Sequence, residues 1–172
     1  DANSFTSTGQ SVLVNTSAFF NNMDWTGVTN NPTINGNNTL NIFGSITLIT
    51  GMSWSTTGFK NFSGTGTHTI DMSGHGNSGD FNFNGTGTYT LIDSLRNSSD
   101  LRFYAGTFNS GGYSIYCNQF ICSGTSAVSI NLSTSEITCT YSRFEYPTYV
   151  AVLLSNTNMS LDADQSTFKL IG

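Results

Sequence analysis

The chain has 172 residues, 5 basic and 10 acidic side chains and a net charge of −5. Ser, Thr, Asn and Gly fill about half of it and charged residues only 9%, so strand and turn formers dominate, which excludes a helical bundle or an α/β enzyme fold. Five scattered cations (Lys60, Arg96, Arg102, Arg143, Lys169) cannot neutralise a phosphate track and the longest apolar run is residues 149–154, which argues against a nucleic-acid partner and against membrane insertion. The 37% hydrophobic and 13% aromatic content is enough for a core and argues against disorder.

Residues 1–30 show no repeat and read as an N-terminal cap or the edge of a fragment. The clearest repeat lies in 40–110. Residues 62–70 read Phe-Ser-Gly-Thr-Gly-Thr-His-Thr-Ile and residues 83–91 read Phe-Asn-Gly-Thr-Gly-Thr-Tyr-Thr-Leu, an offset of 21. Asn41, Asn61 and Asn82 share one register position, Ile42, Phe62, Phe83 and Tyr104 a second, and Gly44, Gly64, Gly85 and Gly106 a third. A period of this length indicates a solenoid. Thr at every second position in 65–69 and 86–90 indicates strands with one threonine face. The spacing therefore predicts one all-β domain over 1–172, a right-handed parallel β-helix with rungs of about 21 residues and roughly eight rungs in all. An antiparallel β-sandwich is the alternative, since it also has short strands and frequent turns.

Chemistry-bearing residues are sparse. His68, Asp71, His75 and Asp80 are the densest set of metal-ligand types, but Gly74-His75-Gly76-Asn77-Ser78-Gly79-Asp80 is one imperfect copy of a glycine-rich Ca²⁺ repeat. No metal or cofactor is expected. The threonine rows suggest an ice-binding face but break off at Thr107-Phe108-Asn109. Asp162 and Asp164 are the only acids two apart and read as a solvated turn. Cys117 and Cys139 lie 22 apart, about one rung, which makes a disulfide between neighbouring rungs a hypothesis and leaves Cys122 unpaired. Trp25 and Trp54, with Tyr141, Phe144, Tyr146 and Tyr149, exceed the needs of a narrow coil and are the expected contact surface, because aromatic rings stack on sugars or fill subunit interfaces.

The segments Gly106-Thr107-Phe108-Asn109-Ser110-Gly111-Gly112-Tyr113, Asn131-Leu132-Ser133-Thr134-Ser135-Glu136-Ile137-Thr138 and Leu161-Asp162-Ala163-Asp164-Gln165-Ser166-Thr167-Phe168-Lys169-Leu170 resemble rungs of right-handed, pectate-lyase-like β-helices found in bacterial surface adhesins and in phage tail fibres or tailspikes. The resemblance covers roughly residues 40–172. It implies an extracellular, cell-surface or virion location and a non-enzymatic structural or attachment role, with polysaccharide binding or cleavage as the alternative. The partners expected are a homo-oligomer or neighbouring solenoid domains at the rod ends, together with a cell-surface polysaccharide.

Overall fold

Strands of a coil find their hydrogen-bond partners one turn above or below, and among the described residues every strand pairing is parallel. The computed structural model describes residues 5–140 and 151–171. Among these there is no helix, and the strands stack as a parallel β-solenoid of about six turns with a repeat of about 22 residues. Each turn adds one short strand to each of three faces, so about six turn-to-turn steps link the seven strands stacked on the second and third faces. The first face is a three-stranded sheet from Ser11–Val14 to Ser53–Thr56, followed by a five-stranded sheet from Gly76–Asn77 to Thr167–Leu170. The second face runs from Ala18–Phe20 to Val152–Leu154 and the third from Met23–Asp24 to Met159–Asp162, seven strands each. The solenoid expectation thus holds, with slightly fewer and longer turns than the sequence period implies. The turn that joins Ile121 to its register partner Leu153 is much longer than those before it and takes up the difference.

Period-two alternation sends one side of every strand inward, and the parallel register then stacks like on like. On the second face Ile42, Phe62, Phe83, Phe103 and Cys122 form one inward column. Phe62 and Phe83 stack at 4.8 Å between centroids, and Phe83 and Phe103 at 5.2 Å. The fourth member is Phe103 rather than the expected Tyr104, because Asn82 pairs with Arg102, one position earlier than the preceding repeat would place its partner. Tyr104 faces solvent at 37% exposure. The third face adds the inward column His68, Tyr89, Phe108, Ile130 and Leu161. His68 is therefore a ladder position, and the Tyr89 hydroxyl accepts the Gly64 amide at 2.8 Å.

The asparagine register is as read. Asn82 donates to Asn61 at 2.9 Å, Asn61 to Asn41 at 3.1 Å, and Asn41 to the Ala18 carbonyl at 3.3 Å. The glycine column is sterically required where the backbones close up. A Cβ built on Gly85 would lie 2.3 Å from the Gly64 carbonyl oxygen, and one on Gly106, whose φ is +81°, would lie 2.4 Å from that of Gly85. Gly76 has open space around it and an ordinary φ. Gly85→Ala is accordingly expected to lower stability by about 1–3 kcal/mol, while Gly76→Ala leaves the chemical-denaturation midpoint near the wild-type value or raises it.

The interior also holds a cation. Lys60 takes an inward position between Leu40 and Phe81 and is fully buried. Its Nζ donates to the carbonyls of Thr56 (2.9 Å), Gly58 (2.8 Å) and Ser78 (3.0 Å) and lies 5.7 Å from the Trp54 ring centroid. Burial pushes its pKa down to about 7. Between that value and the ordinary lysine range the unfolded chain holds a proton that the folded chain has released, so this group makes stability rise with pH across the window and level off below it. Lys60→Met should abolish this rise, so wild type minus variant, measured by denaturant titration at pH 6, 8 and 10, climbs with pH; a flat difference would refute it.

Candidate functional site

Candidate sites must lie on the outward side of the three faces, since the interior is filled. The sequence reading of the aromatics requires correction here. Trp25 and Trp54 are buried at 8% exposure. Trp25 stacks on Phe5 at 5.5 Å, and Trp54 donates its indole N–H to Asn77 Oδ1 at 3.2 Å while its ring lies under the Lys60 ammonium. The early turns have room for an indole inside, and Trp54 finds a buried acceptor for its single N–H, so both rings serve the core. Tyr141, Phe144, Tyr146 and Tyr149 lie outside the described residues. The exposed aromatics are others: Phe19, Phe59 and Phe43 at the N-terminal end of the second face, with Tyr104 further along it, and Tyr113 and Tyr116 by the first face.

The remaining candidates sort as follows. Among the described residues no group of three His, Cys, Asp or Glu side chains is placed to hold a metal. His75 Nε2 lies 2.8 Å from the Ile49 carbonyl, and Asp80 pairs with Arg102 Nε at 3.0 Å. Arg102 also pairs with Asp100, which accepts from Asn118 Nδ2 at 2.8 Å, so this carboxylate pair is absorbed by one corner of the coil. Asp164 sits in a turn at φ 37°, away from the strand that carries Asp162. Cys117 and Cys139 are in register as their spacing implies, but their sulfurs stand 3.8 Å apart as buried free thiols rather than bonded. The S–H···S contact and burial hold the Cys117 thiol well above its ordinary value.

The threonine row extends further than the sequence suggested. At Thr107-Phe108-Asn109 the phenyl ring turns inward, and Thr107 continues an outward column of Thr67, Thr88, Thr107, Ser129 and Ser160. Beside it Thr69, Thr90, Asn109, Asn131 and Asp162 form a second column. A 600 Å³ depression borders this surface, without a charged or aromatic side chain among its described lining residues.

The first face differs. Strands Leu95–Asn97 and Ile115–Cys117 alternate in, out, in, which sets Arg96 directly beside Tyr116 on the outside. The next residues outward in register are Thr138 and Lys169. Arg96 and Tyr116 together form a shared wall between two depressions. The larger, 410 Å³, is lined also by Gly76, Asn77, Ser78 and Ser98. The smaller, 240 Å³, is lined also by Ser94, Ser114, Glu136 and Thr138 among others. Tyr116 is 43% exposed. Among the described residues no carboxylate pairs with Arg96, in contrast to Arg102.

The floor beneath this wall is held by buried amides. Asn77 Nδ2 donates to Asn97 Oδ1 at 2.9 Å and to the Gly79 carbonyl at 2.8 Å, and Asn97 Nδ2 donates to the Asp100 carbonyl at 2.9 Å. Satisfied buried networks of this kind fix backbone position, so the outward side chains project from a rigid platform. The sequence alone does not single out this pair, because Arg96 and Tyr116 sit on different rungs and share no motif. The available signal was the matched pattern Leu95-Arg96-Asn97 and Ile115-Tyr116-Cys117, a central residue flanked by inward positions one rung apart. Compared with protein-family models, curated proteins and solved structures, the chain matches none.

Proposed function

We propose that this chain is a non-enzymatic attachment module, displayed outside the cell or on a virion, that holds a saccharide on the first face of its coil. The observation that carries this reading is the exposed Tyr116 ring lining two open depressions on a rigid sheet, the larger mostly apolar in surface and the smaller mostly polar. An exposed aromatic ring offers a flat apolar surface to the C–H face of a pyranose, and small hydroxyl side chains beside it suit sugar hydroxyls. Two depressions on either side of one ring fit successive units of a polymer. The low charge and high Thr, Ser and Asn content favour the extracellular placement.

The last described rung supports a partner beyond it. Leu154 and Leu170 occupy inward columns one turn above Cys122 and Cys139, yet are 39% and 64% exposed where those cysteines are fully buried. An exposed apolar rung with free strand edges favours a further rung, whether from a neighbouring solenoid domain or from a second copy in a homo-oligomer. The ice-binding alternative requires a uniform threonine face, whereas the two columns change to Ser, Asn and Asp in their later rungs.

Retention on a panel of immobilised polysaccharides tests the reading. The wild-type chain is expected to bind at least one polymer without releasing reducing ends, and Tyr116→Ala to weaken that binding about three- to tenfold, the worth of one ring contact. Unchanged binding by Tyr116→Ala would move the site elsewhere, and reducing-end release would overturn the non-enzymatic assignment.

A further inference from the structure

The Arg96 guanidinium carries information about the ligand beyond the saccharide reading, on which this inference rests. The chain is short of cations, with five against ten acids. Arg102 is neutralised by Asp80 and Asp100, and Lys60 is sealed inside the coil on three carbonyls. Arg96 is exposed and has no ion-pair partner among the described residues, and it projects from a sheet whose underlying amides are satisfied. Among the described residues that line the 410 Å³ depression (Gly76, Asn77, Ser78, Arg96, Ser98 and Tyr116), Arg96 alone is charged. Glu136, the acid on the other side of the wall, lines the smaller depression, and its side chain lies 3.5 Å from the Thr138 hydroxyl.

We propose that the depression lined by Arg96, Ser98 and Tyr116 binds a saccharide unit carrying an oxyanion substituent, a carboxylate or a sulfate, with the sugar ring against Tyr116 and the anion on the Arg96 guanidinium. A guanidinium presents a planar fork of N–H donors to two oxygens of such a group, and a ring one rung away places the sugar within reach of it. Glu136 across the wall accepts hydroxyl donors from the adjoining unit and disfavours a second anion there. The occupant is thus a polymer whose charged units alternate with neutral ones, or one whose charges are spaced more widely than one per unit. The repulsive −5 net charge of the protein makes diffuse attraction to a polyanion weak, so affinity for one must come from a local contact.

Three polymers separate the outcomes: dextran as the neutral probe, hyaluronan as the carboxylate probe and κ-carrageenan as the sulfate probe, the last two with one charge per disaccharide, each titrated against the full chain at physiological salt. Preference for hyaluronan over dextran identifies a carboxylate, and preference for κ-carrageenan identifies a sulfate. Arg96→Gln should reduce binding to the preferred polyanion about ten- to a hundredfold, the worth of a charge-assisted hydrogen bond, a far larger loss than it causes for dextran. Lys169→Gln removes the same charge three rungs along the same outward column and should have little effect. Equal losses from Arg96→Gln and Lys169→Gln, or binding of dextran as tight as of either polyanion, would overturn the oxyanion assignment while leaving the saccharide reading in place. Failure to bind any polysaccharide would overturn the saccharide reading itself.

Discussion

The structure depends on one constraint: each strand pairs in parallel and in register with its counterpart one turn away. Every side chain then meets its own equivalent at a distance of about 4.8 Å. That spacing forces like residues to stack, and the chain meets the requirement differently at each kind of position. Flat rings stack face to face along Phe62, Phe83 and Phe103. Amides pass hydrogen bonds along Asn82, Asn61 and Asn41. At the corners only glycine fits, because a methyl group on Gly85 would strike the carbonyl beneath it.

The same constraint decides which surfaces can act. A narrow coil filled by its own ladder has no interior to offer a ligand, so specificity must be written on the outward positions. Most outward columns carry small hydroxyls and amides, which give solubility with few charges. Against that background Arg96 and Tyr116 stand out, because register brings a cation and a ring side by side from separate rungs. Beneath them Asn77 and Asn97 satisfy one another and the adjacent carbonyls, which keeps the platform in place without any contribution from the ligand.

The fold was legible in the sequence where the turns are equal in length. Residues 62–70 and 83–91 match because the second and third faces advance by the same interval between them, as the pairs Phe62 with Phe83 and His68 with Tyr89 show. Legibility failed where a turn changes by a single residue. The shift of one at Arg102 replaces Tyr104 by Phe103 in the ladder and exposes the tyrosine. The continuation of the threonine column through Thr107 was hidden by a larger slip: Thr88 and Thr107 pair at an interval of 19 where Thr67 and Thr88 pair at 21, which keeps the face but moves Asn109 into the neighbouring column. Burial of the two tryptophans had no sequence signature: it depends on Asn77, a full rung beyond Trp54, and on Phe5, close to the start of the chain and distant in sequence from Trp25. The candidate site was illegible for a related reason, because a site formed between rungs has no linear motif.

The most direct test of the register is a set of distances between spin labels placed in pairs on the outward column Thr67, Thr88, Thr107, Ser129 and Ser160, where the buried native thiols do not compete for label. Distances from Thr67 should grow in even steps of about 4.8 Å per rung. The long stretch of chain from Ser129 to Ser160 should add no more than the shorter one from Thr88 to Thr107. Distances that scale with residue separation, or that fall and rise as an antiparallel sandwich would require, would contradict the solenoid and every surface derived from it.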